Sequence, residues 1–266
     1  MKTALALSAV VLALAACSAE KHAAPTRTET RPARNAPRKP TFVNPHNRPV
    51  PILTYHVIGT PPADAPFPEL YVDRAAFAAQ LRWLRRHGYQ AVSLRRVYEY
   101  WKRGLALPPR PVVLTFDDGY REDFTNVRPL LARHHWPGVL NLAVQNVLDR
   151  KLTVPQVRTL AQNGWEIDAH SLTHPDLTTL GSAELRRQVA GSRTWIRRHV
   201  RVPVEFFCYP AGRYDAAVLR AVRTAGFRGA TTTVPGDASP RDGFFTLDRW
   251  RVYRSDSLSS FAAKLQ

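Results

Sequence analysis

The chain has 266 residues, 44% of them hydrophobic; with the non-folding N-terminal stretch set aside, this suits one large α/β domain better than two small ones. Its 38 Lys and Arg against 21 Asp and Glu leave a formal charge of +17, which fits polyanionic surroundings (a membrane surface, an anionic glycan) and equally fits a solvated arginine-rich surface. No RNA- or DNA-binding motif accompanies the charge, so nucleic acid is not an expected partner.

Lys2 precedes an apolar run, Ala4 to Ala16, too short to span a bilayer. The run ends in Leu14-Ala15-Ala16-Cys17, which resembles the lipobox of bacterial lipoproteins. That resemblance implies a signal peptide over residues 1–16 and lipid on Cys17. Ser18, where Asp would signal inner-membrane retention, implies outer-membrane anchoring in a bacterial envelope. Residues 17–48 are rich in Ala, Pro, Thr, Arg and Asn and nearly devoid of large apolar side chains. Such a segment cannot bury enough surface to offset its ordering entropy, and its prolines favour an extended tether. With Cys17 lipidated, Cys208 has no partner, and in the run Phe206-Phe207-Cys208-Tyr209 it reads as a small buried hydrophobe.

From residue 49 to 266, short β-like runs alternate with helical patterns. The runs are Ile52–Tyr55, Gln90–Leu94, Val112–Phe116, Val139–Val144, Trp165–Ala169, Glu205–Tyr209, Gly229–Thr233 and Trp250–Tyr253. Several are continuously apolar, as parallel strands covered on both faces are. Asp73 can cap a helix with Phe77, Leu81 and Leu84 on one stripe, stopped by Gly88. Thr153 and Gln156 form a capping box for a helix ending at Gly164, and Asp215 can cap one ending at Gly226. The alternation predicts an α/β barrel or a doubly wound sheet.

Four runs end in residues able to do chemistry, at the strand ends where parallel α/β folds collect working groups. Val112–Phe116 leads into Asp117-Asp118-Gly119, Trp165–Ala169 into His170 with His174 four residues on, Ile52–Tyr55 into His56, and Glu205–Tyr209 into Pro210-Ala211-Gly212. Adjacent carboxylates repel unless a cation lies between them or they diverge. An Asp-Gly turn at a strand end is the plainer reading of Asp117 and Asp118. One Asp with two His makes a three-ligand catalytic metal site with an open position. Pro175 disfavours helical backbone at His174, placing the His170–His174 pair on a loop.

Thr115-Phe116-Asp117-Asp118-Gly119-Tyr120 and His170-Ser171-Leu172-Thr173-His174 resemble the first two motifs of the polysaccharide deacetylases, carbohydrate esterase family 4, over roughly residues 50–255. The resemblance implies a distorted (β/α)7-type barrel as a single catalytic domain that hydrolyses N-acetyl or, less often, O-acetyl groups of a glycan. It also implies Asp117 as general base and Asp118, His170 and His174 as ligands of a divalent metal, usually zinc. Pro51-Ile52-Leu53-Thr54-Tyr55-His56 is similar to the opening strand of the poly-β-1,6-N-acetylglucosamine N-deacetylases, where this His is the general acid. The polymer implied is therefore an N-acetylated polysaccharide, with peptidoglycan deacetylation, acetyl-xylan esterase activity and a silent glycan-binding protein as alternatives.

Two departures stand out. The usual third motif has an Arg before a Pro-Tyr-Gly turn, whereas Phe207-Cys208-Tyr209-Pro210-Ala211-Gly212 has none, and a late Leu-x-His is absent. Arg249 then has two readings: a surface or strand-pairing residue, or the cation that orients Asp117. The backbone N–H of Ala211 is expected to stabilise the oxyanion. A carboxylate hydrogen-bonded to His56 would keep it protonated, and Asp248 is a candidate for that partner. Tyr209 and Trp250 are either buried aromatics or sugar-stacking rings, and His134 and His135, near a helix end, need no role.

Overall fold

The computed structural model describes residues 46–265. The signal peptide expected over residues 1–16, the lipidated Cys17 and the tether up to residue 45 lie outside the described residues. The last three tether positions are packed on the domain. Arg48 donates to the carbonyls of Pro109 (2.9 Å) and Pro108 (3.1 Å), and its own carbonyl accepts from Trp101 Nε1 (2.9 Å).

The strands are β1 (Ile52–Tyr55), β2 (Val57–Ile58), β3 (Tyr71–Val72), β4 (Tyr89–Ala91), β5 (Arg110–Asp118), β6 (Val139–Leu142), β7 (Glu166–Ala169), β8 (Phe206–Cys208), β9 (Gly229–Thr231) and β10 (Trp250–Arg251). The helices are α1 (Arg74–Arg86), α2 (Leu94–Arg103), α3 (Arg128–Ala132), α4 (Val144–Leu148), α5 (Val154–Gln162), α6 (Ser182–His199), α7 (Ala216–Thr224) and α8 (Leu258–Ala263). The main sheet is parallel throughout and runs β10-β1-β5-β6-β7-β8-β9, with β4 paired to the first residues of β5. Residues 244–249 then link its two ends. Ala230 N donates to Phe244 O, Leu247 N to Ala230 O and Thr232 N to Leu247 O before the chain enters β10 beside β1. The sheet is therefore curled as the expected single-domain (β/α)7-type barrel.

Alternation along β5 shows why continuous apolar runs were needed. Leu114 and Phe116 pack outward among the helices, with Leu81, Leu84 and Leu160 in the same cluster. Val113 faces inward with Ile52, Val139 and Phe206, and Leu94, Val97 and Trp101 of α2 join that inner cluster. Helix α2 thus plugs the amino end of the interior, and the carboxyl end is left for polar groups. The caps form as expected: Asp73 accepts from Ala75 N and Ala76 N, the Thr153–Gln156 box is complete, and Asp215 accepts from Val218 N.

Several boundaries differ from the sequence reading. The run Gln90–Leu94 stops at Ala91 because Ser93 accepts from Arg96 N and starts α2, so Leu94 is helical. Strands β2 and β3, two residues each, are too short to leave a periodic signature.

Candidate active site

Strand β5 delivers Asp117 and Asp118 to different surroundings. Asp117 continues the inward alternation of Val113 and Thr115 and is 2% exposed. At Asp118 the backbone turns left-handed (φ 77°), and Gly119 follows at φ 87°, where a Cβ would run into Leu142. Only glycine takes that second place without strain. The two carboxylates diverge, which answers their mutual repulsion.

Asp118 meets the loop after β7. Its Oδ1 lies 3.5 Å from His170 Nε2 and 3.6 Å from His174 Nε2. These spacings are long for hydrogen bonds and close to the ~3.3 Å edge of a tetrahedron with ~2.05 Å metal bonds. The His170 Nδ1 sits 2.7 Å from the Cys208 carbonyl, which places the proton there and turns the Nε2 lone pair toward Asp118. Burial and then the neighbouring His170 pull His174 below the ordinary histidine value, so it presents a neutral ring. One carboxylate and two imidazole nitrogens facing one point form a donor set that fits a divalent cation.

Asp117, His170 and Cys208 also lie close enough to one another to share an ion. That set is unsuitable: burial pushes the Cys208 thiol far above its usual value, and Asp117 is already paired. Arg249, 1% exposed, donates from Nη1 to Asp117 Oδ1 and from Nη2 to Oδ2, both at 2.9 Å. Its Nε donates to the Thr232 carbonyl, and its Nη2 lies 3.1 Å from Cys208 Sγ. The residue is buried and grips Asp117, in place of the arginine absent from residues 207–212. Asn141 Nδ2 adds a third donor to Oδ1 at 2.7 Å. Burial pushes the Asp117 carboxyl up, but the Arg249 charge and hydrogen bonds outweigh it and hold the group well below the usual carboxylate range.

His56, between β1 and β2, is 8% exposed, and its Nδ1 is buried without a hydrogen-bond partner. The candidate pairing with Asp248 does not form. The carboxylates that act on His56 are Asp117 and Asp118, whereas Asp248 lies beside Gly236 and bonds Thr232. Burial outweighs both carboxylates, so His56 is lowered rather than raised, a correction to the expectation that a partner keeps it charged. Tyr209 is fully buried, with Tyr214 stacked on it, the edge of Phe207 against it and its hydroxyl donating to Phe245 O. No ring face is left for a sugar. Trp250 donates to Asp237 and does not line the cavity, so neither candidate stacking ring serves. Ala211 adopts φ 51°, and its residue lines the cavity.

A cavity of about 630 Å³ opens over these groups and is lined by His56, Asp117, Asp118, His170, His174, Tyr209 and Ala211. Over residues 105–230 the chain matches the family model for polysaccharide deacetylase. That segment is a polysaccharide deacetylase domain. His56 and Arg249 fall outside the matched segment. A Bacillus subtilis (strain 168) protein provisionally assigned as a polysaccharide deacetylase, YxkH, is 28% identical over 82% of this chain and 76% of its own length. The poly-β-1,6-N-acetyl-D-glucosamine N-deacetylase of Escherichia coli (strain K12) is 41% identical over 36% of this chain, a match spanning only 14% of that relative. The Streptococcus pyogenes deacetylase PplD, solved with acetate, has the same fold, with a TM-score of 0.77 at 23% identity over 83% of this chain and 99% of that one.

The deacetylase's supporting residues went unread in the sequence. Gln188 of α6, 1% exposed, accepts from Leu172 N and Thr173 N through Oε1, both at 3.0 Å. It shapes the loop in which Ser171 (φ 67°) and His174 (φ 59°) are left-handed. Tyr120 lines the cavity with Asp118, and Asn146 donates to the Asp118 carbonyl at 3.1 Å. Asn141 alone carried a signal, as the one polar residue in the apolar strand Val139–Leu142.

Proposed function

We propose that the protein removes N-acetyl groups from a cell-envelope or extracellular polysaccharide, with poly-β-1,6-N-acetylglucosamine the favoured polymer. The carrying observation is the convergence of Asp118, His170 and His174 beside an arginine-held Asp117 in a single cavity. Asp118, His170 and His174 would hold a divalent cation, zinc being favoured by the two imidazoles and one carboxylate. The cation supplies a Lewis acid that polarises the acetyl carbonyl and acidifies water.

Asp117 is the base. Its Oδ1 is occupied by Arg249 and Asn141, leaving Oδ2, which faces only Arg249 and a distant thiol at 3.6 Å, to accept the proton of the attacking water. Arg249 fixes the plane of the carboxylate, and in this reading the backbone N–H of Ala211, which lines the cavity, would donate to the carbonyl oxygen as it gains charge. His56 delivers a proton to the departing nitrogen. It must carry that proton beforehand, and the charges of Asp117 and Asp118 favour the protonated form against burial. Lipid on Cys17 would hold this chemistry at the outer membrane, where a maturing biofilm polymer passes.

Acetate release from acetylated oligosaccharides, with metal content measured on the same samples, tests the reading. Asp117→Asn should lower turnover about a thousandfold with metal retained, whereas His170→Ala should lose both metal and turnover. Normal turnover in Asp117→Asn, or normal metal content in His170→Ala, would overturn the corresponding role.

A further inference from the structure

Phe67 is 67% exposed, the most exposed large hydrophobic side chain among the described residues, and it lines the same cavity as Asp117, His170 and His174. Isolated apolar side chains on a surface are ordinary and need no explanation. Phe67 differs in place and in rigidity. Pro66 and Pro68 flank it and restrict the backbone, Leu70 N donates to its carbonyl at 3.1 Å, and Arg254 N donates to the Glu69 carbonyl at 3.0 Å. The segment then enters β3, which pairs with β2 immediately after His56. An aromatic ring is therefore held in solvent at the wall of the site by a built turn.

We propose that Phe67 is the stacking platform for a pyranose ring adjoining the acetylated unit, and that it gives the site its preference for polymer over small acetylated molecules. The inference rests on the deacetylase reading above. The C–H face of a pyranose is apolar while its edge carries hydroxyls, so it is matched by a flat aromatic surface bordered by polar groups. Glu69, exposed two residues on and lining the same cavity, supplies a carboxyl group as hydroxyl acceptor. Tyr209 and Trp250, for which sugar stacking was one of two readings, are engaged elsewhere, which leaves Phe67 as the exposed aromatic of the cavity wall. Because the turn already fixes the backbone at Phe67, binding there costs little main-chain freedom.

The test compares Phe67→Ala and Phe67→Trp with the unaltered full chain on a β-linked N-acetylglucosamine pentasaccharide and on 4-nitrophenyl acetate, with pentasaccharide binding followed by calorimetry. Phe67→Ala should lower kcat/KM on the pentasaccharide about tenfold, mainly through KM, and weaken its binding to a similar degree. The small ester should be unaffected, and Phe67→Trp should retain pentasaccharide turnover. Equal losses on both substrates would mark a structural role and overturn the platform. So would unchanged pentasaccharide kinetics and binding, including the case in which only adhesion to anionic lipid vesicles falls. A chain that releases no acetate but binds the pentasaccharide through Phe67 would sink the deacetylase reading and keep the platform.

Discussion

Asp117 and Asp168 are both buried carboxyls, 2% and 0% exposed, on β5 and β7 to either side of Asn141 in β6. Asp117 receives a two-pronged guanidinium and an amide, and these hold it ionised. Asp168 Oδ1 accepts only backbone N–H groups, from Glu205 (3.2 Å) and Phe206 (2.9 Å), while Oδ2 has no donor and the nearby side chain is Glu166. Burial and then Glu166 push Asp168 well above its ordinary value, and burial likewise raises Glu166. The Glu166–Asp168 pair, which begins at the amino end of β7, is therefore biased toward holding a proton, whereas Asp117 is biased toward its charge. Burial alone does not decide ionisation; the partner does. The base of the proposed reaction must be ionised, and Arg249 favours that state of Asp117.

Removing the partner breaks this contrast most severely. Arg249→Met should lower the unfolding free energy by about 3–5 kcal/mol at pH 7, measured by urea denaturation, because Asp117 is left buried without a cation. Asp117 is depressed in the folded protein, so its contribution is present above the ordinary carboxylate range and is lost as pH falls toward the folded value. The gap between variant and unaltered protein should therefore narrow below about pH 4. A gap that does not change with pH would refute the ionised pairing.

A smaller effect is expected at the loop that carries the histidines. Gln188→Ala should weaken divalent-metal binding about 10- to 100-fold in a competition titration, since Leu172 N and Thr173 N lose their common acceptor. Unaltered affinity would mean the loop is held without it.

The mildest change probes the Glu166–Asp168 pair. Asp168→Asn keeps an oxygen for the two backbone donors and imitates the protonated acid. A raised carboxyl contributes stability that is fully present below its unfolded value, about pH 4, and lost as pH rises through the folded value. At pH 8 the variant should be more stable by about 1 kcal/mol, or roughly 2–4 °C in Tm, and the advantage should vanish at pH 4. An advantage that persists at pH 4 would show that Asp168 does not hold a proton.

The strand ends bearing Asp117, His170 and His56 were legible because their strands are short apolar runs and a parallel sheet gathers such ends on one side. Helix starts at Asp73, Thr153 and Asp215 were legible because a capping side chain acts within three residues. Arg249 could be offered as a partner for Asp117 but not assigned, since 132 residues separate them and nothing local to residues 247–252 distinguishes a gripping arginine from an exposed one. Asp248 was misplaced as a candidate partner of His56 for the same reason, and Gln188 was invisible because its partners lie 15 and 16 residues back on a loop.

By itself, then, the amino-acid sequence determined which groups stand at the strand ends and which helices frame them, because hydrophobic periodicity and capping are short-range. Tertiary structure alone decided the ionisation of Asp117, the neutral bias of His56 and the burial of the Tyr209 ring. Each of those depends on burial and on charges that approach only when distant segments close the barrel.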